Sequence, residues 1–261
     1  MGHLAYILCL LWLIYLNDGQ SSIIPPGCPN STSLSEEYLC GTSCTKILTY
    51  FERNQSTGWA VRHPSLIKSF SSHHCSVIAE VGIARAELSA AILKHIHSDV
   101  IKEYHGIDPF LGGYDHRDAM SGELTTMKDP KSWAAAILDK MKPYCDRFRL
   151  HHGPSDIMST TFADASIDCV FLDGDHSYKA VKQDIAVWLP KLKPGGYLYF
   201  DDYSGSYMGL VKAVDELTDK NDIKLNRVNT HNNVYIVKPT DGRVLDTAYQ
   251  YPDNKGYENA Y

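Results

Sequence analysis

The chain has 261 residues, with 31 acidic against 25 basic side chains and a formal net charge of -6. That length accommodates one α/β domain with a full core, plus extensions. The acidic balance argues against a protein that binds nucleic acid by neutralising phosphates, and no long block of like charge is present.

Residues 4–16 are almost wholly apolar, and the polar residues 17–22 break the run. A bilayer span needs about 20 apolar residues, so this length suits the core of a signal peptide. No Lys or Arg precedes the run, and no clear small-x-small cleavage site follows it. Residues 1–20 therefore read as a signal peptide or, alternatively, an uncleaved signal anchor. Membrane attachment follows only in the second case. Asn30-Ser31-Thr32 and Asn54-Gln55-Ser56 are glycosylation sequons. Beyond the leader the cysteines are Cys28, Cys40, Cys44, Cys75, Cys145 and Cys169, an even set. Cys28, Cys40 and Cys44 lie close together in a polar segment and are the best disulfide candidates. Cys169 sits in a predicted strand and reads as a small buried hydrophobe. Together these features place the protein in the secretory pathway, secreted or in the lumen of the endoplasmic reticulum or Golgi.

Residues 21–75 read as a Cys-containing extension and cap, with one helix over residues 45–53. From Ser76 onward, strands and helices alternate. Strands are predicted at residues 77–81, 102–107, 148–152, 169–172 and 197–200. Helices are predicted at residues 87–96, 132–144, 178–189 and 209–217. In the second of these, Trp133, Ile137 and Met141 share one face. Residues 226–229 and 233–237 read as an antiparallel pair turned at His231-Asn232. This alternation implies a mainly parallel sheet with helices on both faces, closed by a C-terminal antiparallel strand pair. Residues 76–240 form that domain. Residues 241–261, rich in Tyr, Asn and Gly, read as a flexible tail.

The informative residues follow the strands, where open parallel sheets bind ligands. Cys169-Val170-Phe171-Leu172 runs into Asp173-Gly174-Asp175-His176-Ser177-Tyr178. Lys193-Pro194-Gly195-Gly196 launches Tyr197-Leu198-Tyr199-Phe200, which runs into Asp201-Asp202-Tyr203. Gathered carboxylates repel unless a proton or cation intervenes, and a hard divalent ion suits oxygen ligands. Gly82, in Glu80-Val81-Gly82-Ile83-Ala84-Arg85-Ala86, lets a ligand approach the backbone before a helix start with free N–H groups. Asp108 can accept from a ribose diol, or serve as a turn residue before Pro109. Ser155 and Asp156 can face an adenine, or cap a helix. His176 and Asp175 are both candidates to accept a proton. His73-His74 and His151-His152 read as surface or strand residues, since adjacent strand residues point to opposite faces.

Taken together, Glu80-Val81-Gly82, Ile107-Asp108, the Asp173 to Tyr178 stretch and Pro194-Gly195-Gly196 through Asp201-Asp202-Tyr203 resemble a class I S-adenosylmethionine-dependent methyltransferase. The resemblance covers roughly residues 76–238 and is nearest to metal-dependent O-methyltransferases acting on catechols and to macrocin/novobiocin-type sugar enzymes. It implies a Rossmann-like fold. It places Glu80 and Gly82 beside the methionine part of the cofactor, Asp108 at the ribose, and Ser155 and Asp156 near the adenine. It assigns Asp173, Asp201 and Asp202 to Mg²⁺ and Asp175 to the general base, with Asp173 also bordering the cofactor. The chain departs from the pattern at Ala86, where the family usually has Gly, so the cofactor loop is bulkier. Arg85 is an unusual neighbour for a cationic cofactor and reads as a surface charge. The expected reaction is methyl transfer to a hydroxyl of a small molecule or glycan, a homo-oligomer being compatible with it. The alternatives are a catechol or phenol O-methyltransferase and a catalytically degenerate, secreted binding module of the same fold.

Overall fold

Strands buried on both faces need helices on both sides, and the chain supplies them by alternation. A computed structural model describes residues 22–25, 28, 47, 63–111, 129–228 and 232–248. In chain order the elements are α1 (His63–Ser72), β1 (Val77–Val81), α2 (Glu87–His95), β2 (Glu103–Asp108), α3 (Pro130–Lys140), β3 (Phe148–His152) and α4 (Ser155–Ser159). β4 (Ile167–Leu172), α5 (Tyr178–Trp188), β5 (Leu192–Phe200), α6 (Met208–Asn221), β6 (Asn226–Arg227) and β7 (Val234–Val237) follow. The described strands form one sheet in the order β3-β2-β1-β4-β5-β7-β6. β1 to β5 are parallel neighbours, whereas β7 runs antiparallel to both β5 and β6. The expected Rossmann-like architecture is therefore the observed one.

The core has two layers. On one face Ile78, Tyr104, Phe148, Phe171 and Tyr199 pack under Phe70 of α1, Ile92 of α2 and Trp133 of α3. On the other, Ala79, Val81, Val170, Leu198 and Ile236 pack under Ile185 and Trp188 of α5 and Leu210 and Leu217 of α6. α1 was not anticipated. Its Phe70 meets Tyr199 edge-on at 4.8 Å and Phe171 at 6.3 Å, so the core begins before Ser76. Of the helix expected at residues 45–53 only Ile47 is described, and it is helical and buried. Among the described residues, no helix is long and apolar enough to cross a membrane.

Two local readings are corrected. Lys193-Pro194-Gly195-Gly196 does not precede β5 but lies within it. Ile167 pairs with Leu192 and Cys169 with Tyr197, so the run is an irregularity in the ladder. Gly195 takes φ +79°, and a Cβ on Gly196 would lie 2.9 Å from the Asp168 carbonyl oxygen. Beyond Gly242 the chain is not wholly free, because Asp246 N–H donates to Asn221 Oδ1 at 2.7 Å and Leu245 packs on the second core layer.

The cysteines are paired differently from their sequence grouping. Cys169, read as a plain hydrophobe, is bonded to Cys75, with Cα atoms 5.6 Å apart. Cys28 is bonded to Cys145 rather than to a near neighbour, with Cα atoms 5.8 Å apart. Cys40 and Cys44 lie outside the described residues. The first bridge ties the approach to β1 onto the middle of β4. The second holds the N-terminal segment near β3, where Ile23 exchanges backbone hydrogen bonds with Leu150 at 2.7 and 2.9 Å and covers the sheet edge. The Cys75–Cys169 bridge spans 94 residues of sequence. Replacing both cysteines by Ala should cost about 2–5 kcal/mol in denaturant unfolding. A loss below about 1 kcal/mol, or a non-reducing peptide map lacking the Cys75–Cys169 link, would count against this pairing.

Candidate active site

The parallel strands all point their carboxyl ends to one edge, and β1 sits where the chain order reverses between β2 and β4. There the backbones nearly touch. A Cβ on Gly82 would lie 2.3 Å from the Asp173 carbonyl oxygen, and Gly82 takes φ +87°. Asp173 N–H donates to the Val81 carbonyl at 2.8 Å, and Gly82 N–H to the Ile107 carbonyl at 2.9 Å. Gly82 is thus required by the neighbouring strand's own backbone, not only by a ligand.

The loop after Gly82 is bent tightly and held from several sides. Ala84 and Ala86 both adopt left-handed backbone, at φ 46° and 50°. That conformation costs an L-residue about 1–2 kcal/mol. Trp133 of α3 donates its indole N–H to the Ala84 carbonyl at 2.9 Å, and the Lys140 ammonium donates to the Arg85 carbonyl at 2.5 Å. Burial lowers the Lys140 pKa to about 8. Asp108 accepts from Ala84 N–H at 2.8 Å through one oxygen and from Phe110 N–H at 2.7 Å through the other. Burial raises it to about 6, against the pull of those donors. Asp108 therefore does serve the turn, and the Ile83 backbone N–H also bonds to its carboxylate. The Ala86 methyl is fully buried in the first core layer. Ala86 starts α2 without any side-chain cap, which leaves the first N–H groups of that helix for another acceptor. Arg85 is not a surface charge: it is 6% exposed, and its Nε lies 3.3 Å from Glu87 Oε1.

Glu80 points into the first core layer behind this loop. It accepts from Tyr104 O–H at 2.7 Å and from Ser89 O–H. Burial raises it to about 7, although those hydrogen bonds oppose the rise. Ser155 is likewise committed inward. Its hydroxyl donates to Asp184 of α5 at 2.5 Å and accepts the Trp188 indole N–H at 2.7 Å. It occupies the first turn of α4, the cap position being Pro154, so neither the adenine-facing hydroxyl nor the capping role is observed. Asp156 is half-buried in the same turn, where Oδ1 lies 2.9 Å from Ile157 N.

Leu172 and Phe200 are paired in register, so Asp173 and Asp201 follow side by side. Burial, then the charges of Asp201 and Asp202, push the Asp173 carboxyl well above its usual range, and it shares a hydrogen bond with Asp201. Asp202 adopts left-handed backbone at φ 51°. The donor chemistry of these three carboxylates fits a hard cation. The arrangement does not: among the described residues, no group of three or more His, Cys, Asp or Glu side chains could hold a metal ion. The expected ligand set is thus gathered but forms no metal-holding group, and Asp173 and Asp201 bond to each other.

Asp175 and His176 separate clearly. Asp175 Oδ1 accepts Ser177 N–H at 2.8 Å, a local turn that starts α5. The His176 ring is 8% exposed, and neither of its nitrogens has a hydrogen-bond partner among the described residues. Nε2 lies 3.8 Å from Asp173 Oδ1, and the Tyr207 ring covers it at 4.5 Å between centroids. A Cβ on Gly209 would lie 2.6 Å from Tyr178 N, so the start of α6 is pressed against this segment. Tyr203, half-buried, donates to Asp215 at 2.5 Å and is drawn into packing with α6. Of the other histidines read as surface or strand residues, His74 is exposed and His151 and His152 lie in β3. His151 is 3% exposed and meets His105 at 3.0 Å, and His73 stacks on Tyr197 at 3.9 Å.

Residues 79–203 match the family model described as a methyltransferase domain. The fold agrees with the SAH-bound Podospora anserina methyltransferase PaMTH1, at TM-score 0.51 and 14% identity, covering 77% of this chain and 89% of that one. The O-methyltransferase TomG from Streptomyces achromogenes is similar at TM-score 0.49 and 13% identity, over 76% and 90% of the two chains. The O-methyltransferase NovP is similar at TM-score 0.47 and 21% identity, over 66% and 76%. A 37-residue stretch, 14% of this chain, is 46% identical to an uncharacterized protein of Acanthamoeba polyphaga mimivirus, spanning 17% of that protein's length. Over residues 79–203 the chain thus resembles a methyltransferase domain, and its fold is the one seen in PaMTH1.

The inward carboxyls make stability depend on pH. Burial raises Asp184 to about 7, opposed by its Ser155 hydrogen bond and reinforced by Asp175 and Asp156. An unfolded Asp titrates near about 3.9, so the folded state binds this proton more tightly. Its stabilising contribution is complete below the unfolded value and is lost as pH rises through about 7. Asp184→Asn keeps the acceptor for Ser155 but cannot ionise. Between about pH 5 and about pH 8 its melting temperature should fall less than that of the wild type. Parallel declines in the two proteins would show that Asp184 is not a source of the dependence.

Proposed function

We propose that this protein is an S-adenosylmethionine-dependent O-methyltransferase acting on a sugar or glycan hydroxyl in the secretory pathway. The observation that carries the reading is His176. A buried imidazole with two unpartnered nitrogens is costly unless a ligand completes it. It stands beside the acidic strand ends, at the edge where the methyltransferase domain binds its ligands.

The cofactor would be held by the uncapped start of α2, by Gly82 and Ala86 in the loop, and by Asp108. Asp173 would border it, with Glu80 set behind the loop and Asp156 at the adenine end. The methyl group is already activated by the sulfonium, so the protein's task is mainly to align acceptor and donor. His176 is the side chain placed to take the hydroxyl proton, since Asp175 is occupied by Ser177 N–H. Asp173 lies 3.8 Å from His176 Nε2. Tyr207 would shield the ring from water.

The compartment rests on the leader, the two sequons and the disulfides Cys75–Cys169 and Cys28–Cys145, which persist where conditions are oxidising. A glycan or other hydroxylated metabolite of that compartment is the substrate class this favours. Calorimetry with S-adenosylmethionine, followed by methyl transfer to glycans, diols and catechols with and without Mg²⁺, tests the proposal. His176→Ala should leave cofactor affinity intact and lower kcat by about 10²–10⁴-fold. Transfer to catechols but not glycans would move the reading to a small-molecule enzyme. Absence of cofactor binding would make the protein a binding module of the same fold.

A further inference from the structure

The antiparallel end of the sheet delivers a residue to the site. β7 runs against β5, so its first residues lie beside the carboxyl end of β5. Phe200 pairs with Val234, which brings Asn233 level with Asp201. Asn233 is 0% exposed, and its side-chain amide donates to Asp201 Oδ1. Its backbone carbonyl accepts Val228 N–H at 2.9 Å, and the Asn232 carbonyl accepts Tyr203 N–H at 2.9 Å. The segment is therefore anchored by its backbone on both sides of the side-chain contact. An amide at such a position would be costly to bury without a partner, and a Leu would fill a similar volume. The partner found is a carboxylate of the active edge, itself 2% exposed and hydrogen-bonded to Asp173.

We propose that Asn233 is a positioning residue for methyl transfer, fixing the Asp201 carboxylate against Asp173 at the edge that carries His176. The proposal rests on the methyltransferase reading of that site. It makes the β5–β7 pairing part of the functional apparatus, since the amide reaches Asp201 only because β7 enters the sheet next to β5.

Two variants of the full chain separate positioning from mere packing. Asn233→Leu removes the donor at similar volume. It should keep S-adenosylmethionine affinity within about twofold while kcat falls about 10–100-fold, as for other partners that orient site ligands. The reciprocal exchange, Asn233→Asp with Asp201→Asn, restores an amide–carboxylate pair with its charge moved to β7. It should recover the melting temperature but not kcat, and it decides the matter if Asn233→Leu does not fold. An Asn233→Leu protein with kcat within about twofold of wild type would overturn the proposal. So would recovery of kcat in the exchanged protein, which would reduce the pair to a structural hydrogen bond. A wild type that transfers no methyl group to any hydroxyl would end both the functional reading and this inference, whereas an equally active variant would end the inference alone.

Discussion

Two carboxylates at neighbouring strand ends, buried where water does not screen them, cannot both carry charge unless something lies between them. Asp173 and Asp201 are in that position because Leu172 and Phe200 are paired in register. The surrounding arrangement is a response to that constraint. Asp173 is pushed toward its protonated form and bonds to Asp201, and Asn233 supplies an amide to Asp201. Asp202 adopts left-handed backbone. His176 stands close enough to exchange charge with Asp173 while remaining open to a ligand. A site built this way holds its electrostatic tension until a proton, a cation or a substrate relieves it.

The same edge imposes a second constraint through the backbone. β1 and β4 approach so closely that only glycine fits at Gly82. The loop beyond it carries two alanines in left-handed conformation, and the cost is offset by Trp133, Lys140 and Asp108. Side chains from α3 and β2 thereby shape a loop that belongs to neither. Several buried polar residues, Glu80 and Ser155 among them, face the interior rather than the crevice. They rigidify the frame that presents the loops, and methyl transfer is a reaction in which rigid alignment supplies much of the rate.

Much of the fold was legible because burial on both faces writes itself into short apolar runs, as in Val77 to Val81 and Cys169 to Leu172. The acidic cluster was legible for a related reason: charged residues directly after such runs fall on one edge of a parallel sheet. What escaped had no local pattern. α1 is recognised by what its Phe70 packs against, not by its own periodicity. Lys193 to Gly196 carries turn residues yet lies inside β5, since strand pairing with Ile167 and Cys169 overrides turn chemistry. The inward partners of Ser155 and Glu80, Asp184 and Trp188 or Ser89 and Tyr104, had no local signal because they approach from other elements.

By itself the sequence determined the alternation of strands and helices, the single glycine at the β1 turn and the position of every acid along its strand, because these depend on neighbours in the chain. Only the tertiary structure decided that Cys75 meets Cys169, that Asp175 is used by a local turn while His176 is left open, and that Asn233 reaches Asp201. Those outcomes depend on strand order, register and burial, which bring together residues far apart in sequence and set the cost of leaving each polar group unpaired.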